Sequence, residues 1–179
     1  MSKAIEIVPY DADWPRQFAV EHERIAATLG TVAVRIDHNG STSIPGLAAK
    51  PIIDIQISVR RLQPMEDYST GLVRLGYVHV PHPDDAFCPF FHRPSSWPHT
   101  HHVHVVQSGG EEERRTLAFR DYLREQTTCA RQYEELKRSL AAQHNAADFS
   151  SRQAYAEAKG AFIEDIIRRA LAAGYPRAG

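Results

Sequence analysis

Cysteine and long apolar runs are scarce in this sequence. The two cysteines, Cys88 and Cys129, stand far apart and form neither a CxxC pair nor a zinc-binding spacing. This is typical of free thiols in a reducing compartment, although one disulfide stays open as an alternative. No apolar run reaches the length of a membrane span, and residues 1–3 are not followed by the apolar stretch of a signal peptide. The sequence therefore predicts a cytoplasmic protein without a membrane partner.

A strong excess of charge of either sign is also absent. Lysine and arginine together number 21 and aspartate and glutamate 22, so the formal net charge is -1 at pH 7 with histidine neutral. This balance gives no reason to expect DNA or RNA as a partner. The length of 179 residues and the 42% of hydrophobic residues fit one domain with a sizeable core, over residues 1–179.

Hydrophobic spacing divides the chain into a sheet-forming part and a helical part. Two helices are predicted in the first part, at 13–29 and 62–75, and the strands are predicted at 5–8, 32–36, 53–59, 77–80, 87–93 and 101–107. From residue 111 onward the spacing predicts helices over 111–125, 128–143 and 151–173. This order predicts an α+β fold, in which a mixed sheet carries packed helices and the last third is helical.

A loop of small residues that leads into a strand with one carboxylate is the main candidate site. Gly40, Ser41 and Ser43 belong to the loop, and Asp54 lies on the polar face of the strand that follows. Backbone amides and hydroxyls suit a phosphate, while a carboxylate suits the metal that bridges to it. An aspartate in a strand built for burial costs free energy unless it is paired, hydrogen-bonded or bound to metal. A polar turn with a solvent-facing aspartate is the alternative.

The motifs of this chain resemble, in order, those of the GrpB-like proteins. They are residues 5–11 followed by Trp14 and Pro15, residues 38–51, Asp54, residues 102–106, residues 119–124 and residues 155–159. The resemblance covers nearly the whole chain, and the family looks like a branch of the nucleotidyltransferase fold. It implies that Gly40 and Ser41 face the phosphates of a nucleotide triphosphate and that Asp54 binds a divalent metal, magnesium or manganese. The implied activity is nucleotidyl transfer to a small-molecule acceptor, which the resemblance does not identify.

Gln56 departs from the pattern that the resemblance implies. The superfamily usually has a second carboxylate two residues after the first, and an amide at this position supplies none of the charge that strengthens sites for hard cations. Two-metal phosphoryl transfer needs several anionic ligands. A module that binds a nucleotide without catalysis is therefore the first alternative function.

Two histidines on a later strand offer further ligands. His102 and His104 are two residues apart, so both imidazoles point to one face of the strand. Imidazole favours transition metals, and with Asp54 the pair would suit zinc, manganese or iron, with His38 as a possible fourth member. The alternatives are half-exposed strand histidines or histidines that hydrogen-bond a substrate.

The same strand also supports a rival function. Residues 100–106 approach the His-x-His-x-His pattern of the histidine-triad phosphohydrolases, with His102 in the position of the nucleophile. Thr100 stands where the first histidine of that pattern belongs. A histidine-dependent nucleotide phosphohydrolase is therefore the second alternative.

Two basic residues of the helical part are predicted to contact phosphate. Lys159 falls on the apolar stripe of the last predicted helix, and Arg120 has the planar fork that suits phosphate oxygens. Lys159 could instead extend to solvent, which is the commoner behaviour of such a lysine. Arg120 could equally form a structural ion pair with Asp121.

Overall fold

A mixed five-stranded sheet organises the fold in this computed structural model, which describes residues 5–144 and 148–177. The sheet order is β1-β2-β5-β4-β3. The strands are β1 (Ala33–Asn39), β2 (Ile53–Val59), β3 (Val78–Val80), β4 (Phe90–Arg93) and β5 (His101–Gln107). The helices are α1 (Trp14–Leu29), α2 (Glu66–Arg74), α3 (Glu111–Glu125), α4 (Thr127–Gln143), α5 (Phe149–Ala158) and α6 (Gly160–Ala172). The predicted α+β fold with a helical C-terminal third is confirmed.

The strand that carries Asp54 lies inside the sheet. β2 pairs antiparallel with β1 and parallel with β5. Its isoleucines pack on α1 and α2 in the largest apolar cluster, whereas Gln56 and Ser58 are buried on the opposite face, on the side of α3. Asp54 is the one residue of β2 that is not fully buried. Both faces of β2 are therefore covered along most of the strand. On the face that carries Gln56 and Ser58, here called the second face, Asp54 lies where this cover ends.

The strand register brings the polar side chains of the second face together. Asp54 lies opposite Asn39 on β1 and His102 on β5, and His102 lies opposite His92 on β4. Residues directly opposite each other in a sheet share a face. Pairing between strands that are distant in sequence therefore places Asp54 beside His102.

Several predicted elements differ from the structure, and the helix predicted over 62–75 spans only Glu66–Arg74. Residues 5–8 form no strand, and only Val8 makes a bridge, with Ala49. The strand predicted over 87–93 begins at Phe90, because the amides of Phe87 and Cys88 still donate to the Asp84 carbonyl in a turn. The helix predicted over 151–173 is two helices, since α5 packs on α4 whereas α6 packs on α3.

β2, which carries Asp54, spans the predicted residues 53–59. β5 and α3 span the predicted residues 101–107 and 111–125. Cys88 and Cys129 are free thiols, so the alternative of a disulfide is excluded. Within residues 5–144 and 148–177, no helix combines the length and the apolar character that crossing a membrane requires.

Candidate functional site

A cavity of about 540 Å³ opens on the second face of the sheet, with α4 and α5 contributing to its wall. It brings together six of the residues predicted from the sequence: Gly40, Ser41, Asp54, His102, His104 and Lys159. Ser43 and Arg120, which were also predicted to contact phosphate, lie outside this lining. The loop, the carboxylate strand, the histidine strand and the helical part therefore meet at one place.

Gly40 and Asp54 are in close contact across the cavity wall. A Cβ atom built on Gly40 would lie 2.7 Å from the Asp54 Cβ, closer than side chains tolerate. The glycine also has a φ of 63°, in the region that residues with side chains rarely adopt. Glycine is thus required for the loop to lie against the carboxylate.

The hydroxyls of the loop have different roles. The Ser43 hydroxyl donates to the Gly40 carbonyl at 2.7 Å, and that of Thr42 donates to the Ile52 carbonyl at 3.2 Å. Ser41 lines the cavity and hydrogen-bonds with Tyr133, whose pKa burial raises to about 12. Ser43 and Thr42 therefore stabilise the loop, and Ser41 is the loop serine that lines the cavity.

Asp54 begins a short chain of hydrogen bonds. Its Oδ1 lies 3.3 Å from His102 Nδ1, and His102 Nε2 lies 3.0 Å from His99 Nδ1. Burial alone would raise the pKa of Asp54, but the hydrogen bond to His102 and the nearby cationic groups outweigh it and hold this pKa below its usual value. Asp54 is therefore a carboxylate at neutral pH, and both ring nitrogens of His102 have protein partners.

His104 lies further along β5 in the same wall. Burial lowers its pKa to about 4, so its imidazole is neutral at pH 7. Its Nδ1 lies 3.8 Å from the Cys88 sulfur, and burial raises the pKa of that thiol to about 12. Within the described ranges, no group of three or more histidine, cysteine, aspartate or glutamate side chains is arranged to hold a metal ion.

His38 supports the loop from behind. Its Nε2 lies 3.0 Å from the Thr42 hydroxyl, and its ring stacks on Phe18 with centroids 4.8 Å apart. Burial lowers the pKa of His38 to about 4. The residue is absent from the cavity lining, in contrast to the predicted role as a fourth metal ligand.

Three lysines, here called the lysine group, provide the positive charge of the cavity. Lys50, Lys137 and Lys159 are the only lysines in the part of the chain that the structure describes, and all three line the cavity. No arginine within residues 5–144 and 148–177 lines it. Burial is the main reason why the pKa of Lys137 and of Lys159 falls to about 7, and burial also lowers that of Lys50.

Arg120 belongs instead to an arginine cluster formed by Arg35, Arg120 and Arg124 with Asp37 and Asp121. Arg120 lies 2.7 Å from Asp121 and 3.2 Å from Asp37, while Arg35 binds both oxygens of Asp37. Arg120 and Arg124 also donate to the carbonyls of His38 and Ser43. The cluster therefore holds the loop from outside the cavity, and Arg120 forms the structural ion pair with Asp121 that was the alternative to phosphate binding.

Gln56 does not reach the cavity. Its Oε1 accepts hydrogen bonds from Asn39 at 3.2 Å and from Thr116 at 2.5 Å, and the side chain is fully buried. Its Nε2 has no hydrogen-bond partner in the described structure. The position of the second carboxylate is thus occupied by a structural amide.

Lys50 and Lys137 line the cavity although neither was predicted as a site residue. Lys50 lies near the end of the loop motif at residues 38–51, and Lys137 stands one turn after Tyr133 on α4 in the same way as Lys159 follows Tyr155. This repeated Tyr-x-x-x-Lys spacing was the available signal. The spacing alone did not show that both Tyr-Lys pairs line the same cavity, which depends on how the helices pack.

The fold and the site define an α+β protein whose sheet carries a Gly-Ser loop and one carboxylate in a lysine-lined cavity. The chain belongs to the GrpB family, since a family model described as GrpB protein matches residues 4–169. A crystal structure of conserved protein GrpB from Enterococcus faecalis is similar with a TM-score of 0.80 and 34% identity, covering 93% of this chain and 97% of that one.

This chain covers most of the length of several relatives. The UPF0157 protein BH1888 of Halalkalibacterium halodurans is 39% identical over 94% of this chain and 84% of its own length. The glutamate-rich protein GrpB of Alkalihalophilus pseudofirmus is 30% identical, with 90% and 92% covered. A dephospho-CoA kinase of Mycolicibacterium paratuberculosis is 30% identical over 93% of this chain but only 46% of its own length.

Proposed function

We propose that this protein binds a nucleotide triphosphate in the cavity and performs metal-dependent nucleotidyl transfer to a small-molecule acceptor. The observation that supports this is the convergence of Gly40, Ser41, Asp54 and the lysine group on one cavity. Loop amides and ammonium groups bind phosphate, and a carboxylate beside them binds the accompanying cation. The partners under this proposal are the nucleotide and the acceptor, with no nucleic acid and no membrane.

A divalent cation fits Asp54 when the substrate supplies the other ligands. Magnesium is commonly bound by one or two carboxylates together with phosphate oxygens and water, and Asp54 is ionised and faces the cavity. Asp54 would hold magnesium or manganese, which would neutralise charge on the phosphates. A zinc or iron site with His102 and His104 is the less favoured form, because His102 already uses both ring nitrogens.

The residues of the chain would position the nucleotide and stabilise charge. Ser41 would hydrogen-bond a phosphate oxygen, and the lysines would stabilise the negative charge that develops on the leaving pyrophosphate. Gly40 would keep the loop backbone against Asp54, so that the phosphate and the cation site stay adjacent. This assignment uses electrostatic stabilisation by groups that the fold has already placed.

Binding of each nucleoside triphosphate, measured by calorimetry with EDTA, magnesium or manganese, tests the proposal. We expect metal to increase the affinity of the wild type at least tenfold and to have no such effect on Asp54→Asn. Asp67→Asn, at an exposed position on α2, is the matched control. Absence of triphosphate binding by the wild type with every metal would refute the proposal.

A nucleotide-binding module without catalysis is the second candidate, and Gln56 favours it. The site has one carboxylate where a two-metal mechanism needs more, and the Gln56 amide is committed to Asn39 and Thr116. Triphosphate binding without turnover in the presence of any acceptor tried would support this candidate. Transfer of the nucleotidyl group in any assay would exclude it.

The histidine-dependent phosphohydrolase has less support from the geometry. His102 Nε2, the nitrogen that would attack phosphorus, lies within hydrogen-bond distance of His99. A covalently phosphorylated or nucleotidylated His102 would establish this function. The protein should be denatured without acid, because a phosphohistidine hydrolyses in acid. The name of the mycobacterial relative adds dephospho-CoA, itself a nucleotide derivative, to the ligands worth testing.

A further inference from the structure

We infer that Lys50 and Lys159 form a subsite for a pyrophosphoryl group, that is, two linked phosphates. This inference rests on the proposed function in one respect: the occupant of the subsite is the pair of terminal phosphates of the bound nucleotide. Both side chains line the cavity, and they come from distant segments: Lys50 precedes β2, and Lys159 follows α5. The fold therefore brings two ammonium groups together at one wall.

Tyr155 fixes the two lysines beside each other. The Lys159 Nζ lies 4.5 Å from the centroid of the Tyr155 ring, and the Lys50 Nζ lies 5.1 Å from the same centroid. The tyrosine is fully buried, and its hydroxyl has no hydrogen-bond partner in the described structure. A rigid aromatic ring thus holds both ammonium groups without satisfying their N–H donors.

Neither ammonium group has an oxygen partner among the described residues, and this separates the pair from Lys137. Lys137 is buried, donates to the Ala48 carbonyl and lies over the Tyr133 ring. Lys50 and Lys159 instead lie over the Tyr155 ring. A partly buried ammonium without an acceptor is costly in free energy, and an anionic ligand would remove that cost.

The charges around the pair suit a ligand with more than one negative charge. After burial, the Lys50 charge is the largest cause that lowers the pKa of Lys159, and Asp54 is the acid that opposes it. One carboxylate therefore faces two mutually repelling cations. Two linked phosphates carry enough charge to bind both ammonium groups, whereas orthophosphate is smaller and carries less charge.

The test measures binding of inorganic pyrophosphate and orthophosphate by calorimetry in EDTA, and of a nucleoside triphosphate with magnesium. The variants are Lys50→Met and Lys159→Met, which keep the side-chain length, with exposed Arg131→Met on α4 as the control. We expect the wild type to bind pyrophosphate at least tenfold more tightly than orthophosphate. Each lysine variant should weaken pyrophosphate and triphosphate binding about tenfold or more, and the control should change neither.

The outcomes separate this inference from the proposed function. Triphosphate binding that both lysine variants leave unchanged would overturn the subsite and spare the nucleotide proposal. Pyrophosphate binding lost in the variants, with no triphosphate bound by the wild type, would support the subsite and refute the nucleotide. Binding of neither probe by the folded wild type would overturn both.

Discussion

The lysine group and the arginine cluster lie on two sides of the same loop, and they use positive charge differently. In the arginine cluster every arginine is matched: Arg120 contacts Asp37 and Asp121, each about one-tenth exposed. In the cavity, Lys50 and Lys159 have the Tyr155 ring but no carboxylate within ion-pair distance in the described chain. The arginines therefore stabilise the loop, and the lysines are available to a ligand.

The chemistry of the two side chains explains this division. Arginine stays protonated when buried and binds carboxylates through its planar fork, which suits a permanent ion-pair network. Lysine loses its proton more readily on burial, so a lysine without a partner costs less than an arginine would. Lysine is therefore the better lining for a cavity that, as proposed, binds an anion and also exists without one.

Replacing Gly40 with alanine is the one change expected to damage both regions, because its loop joins them. The new Cβ would collide with Asp54, and the backbone would keep its unfavourable φ. We expect a loss of about 3 kcal/mol in the free energy of unfolding, measured by denaturant titration. Gly46→Ala, at another positive φ with open space around it, should cost clearly less. Equal losses in the two variants would contradict the close contact.

Removing Arg120 should separate stability from binding. Arg120→Met leaves Asp37 with Arg35 and Asp121 with only a 3.8 Å contact to Arg124. The free energy of unfolding should fall by about 2 kcal/mol, since partly buried carboxylates lose a partner. Anion binding by the folded protein should stay within about twofold of the wild type. A tenfold loss of pyrophosphate affinity would show that Arg120 contacts the ligand, as the sequence had suggested.

Removing Lys159 should have the opposite effect on stability. Lys159→Met replaces an ammonium without an oxygen partner by an apolar chain of similar length, so the free energy of unfolding at pH 7 should rise on the order of 1 kcal/mol. The same variant should bind anions more weakly. A decrease in stability, measured by denaturant titration in phosphate-free buffer, would show that the lysine is structurally satisfied.

The stability gap between Lys159→Met and the wild type should depend on pH. Burial lowers the pKa of Lys159 to about 7 in the folded protein, against an ordinary value near 10.5 in the unfolded chain. Below pH 7 the lysine is protonated in both the folded and the unfolded state, so the full free-energy cost of burying its charge destabilises the folded wild type. Between about pH 7 and 10 only the unfolded state keeps the proton, so the wild type gains stability as the pH rises and the gap narrows. A gap that is constant from pH 6 to 9 would contradict the lowered pKa.

Local pattern was sufficient for much of the fold. The alternation in β2 and the helical spacing of α3 depend on neighbouring residues, and both elements appear where they were predicted. The division of residues 151–173 into α5 and α6 was missed. Gly160, a weak helix former at the start of α6, was the local signal, and each helix packs on a different partner. Residues 5–8 failed as a strand because only Val8 finds a partner.

The site residues that are close in sequence were also predicted correctly as a group, whereas the surroundings of the distant ones were not. Gly40, Ser41 and Asp54 were found together because the motif places them close in sequence, and they do line one cavity. Arg120 and Lys159 looked equivalent as cations on helices. Asp121 and Tyr155 are close in sequence to Arg120 and Lys159. Asp37, which also pairs with Arg120, and Lys50, which shares the Tyr155 ring, come from other segments, and sequence spacing does not contain that information.

The sequence by itself determined the α+β class, the family and the loop-to-aspartate motif, because these depend on periodicity and on residues close along the chain. The tertiary structure alone decided which cations face the cavity. Gln56 bonds with Thr116, Ser43 with the Gly40 carbonyl and Arg120 with Asp37, so none of the three lines the cavity. Lys50 and Lys159 lie together over the Tyr155 ring. Whether a charge is paired depends on long-range contacts, since burial and partners are properties of the folded chain.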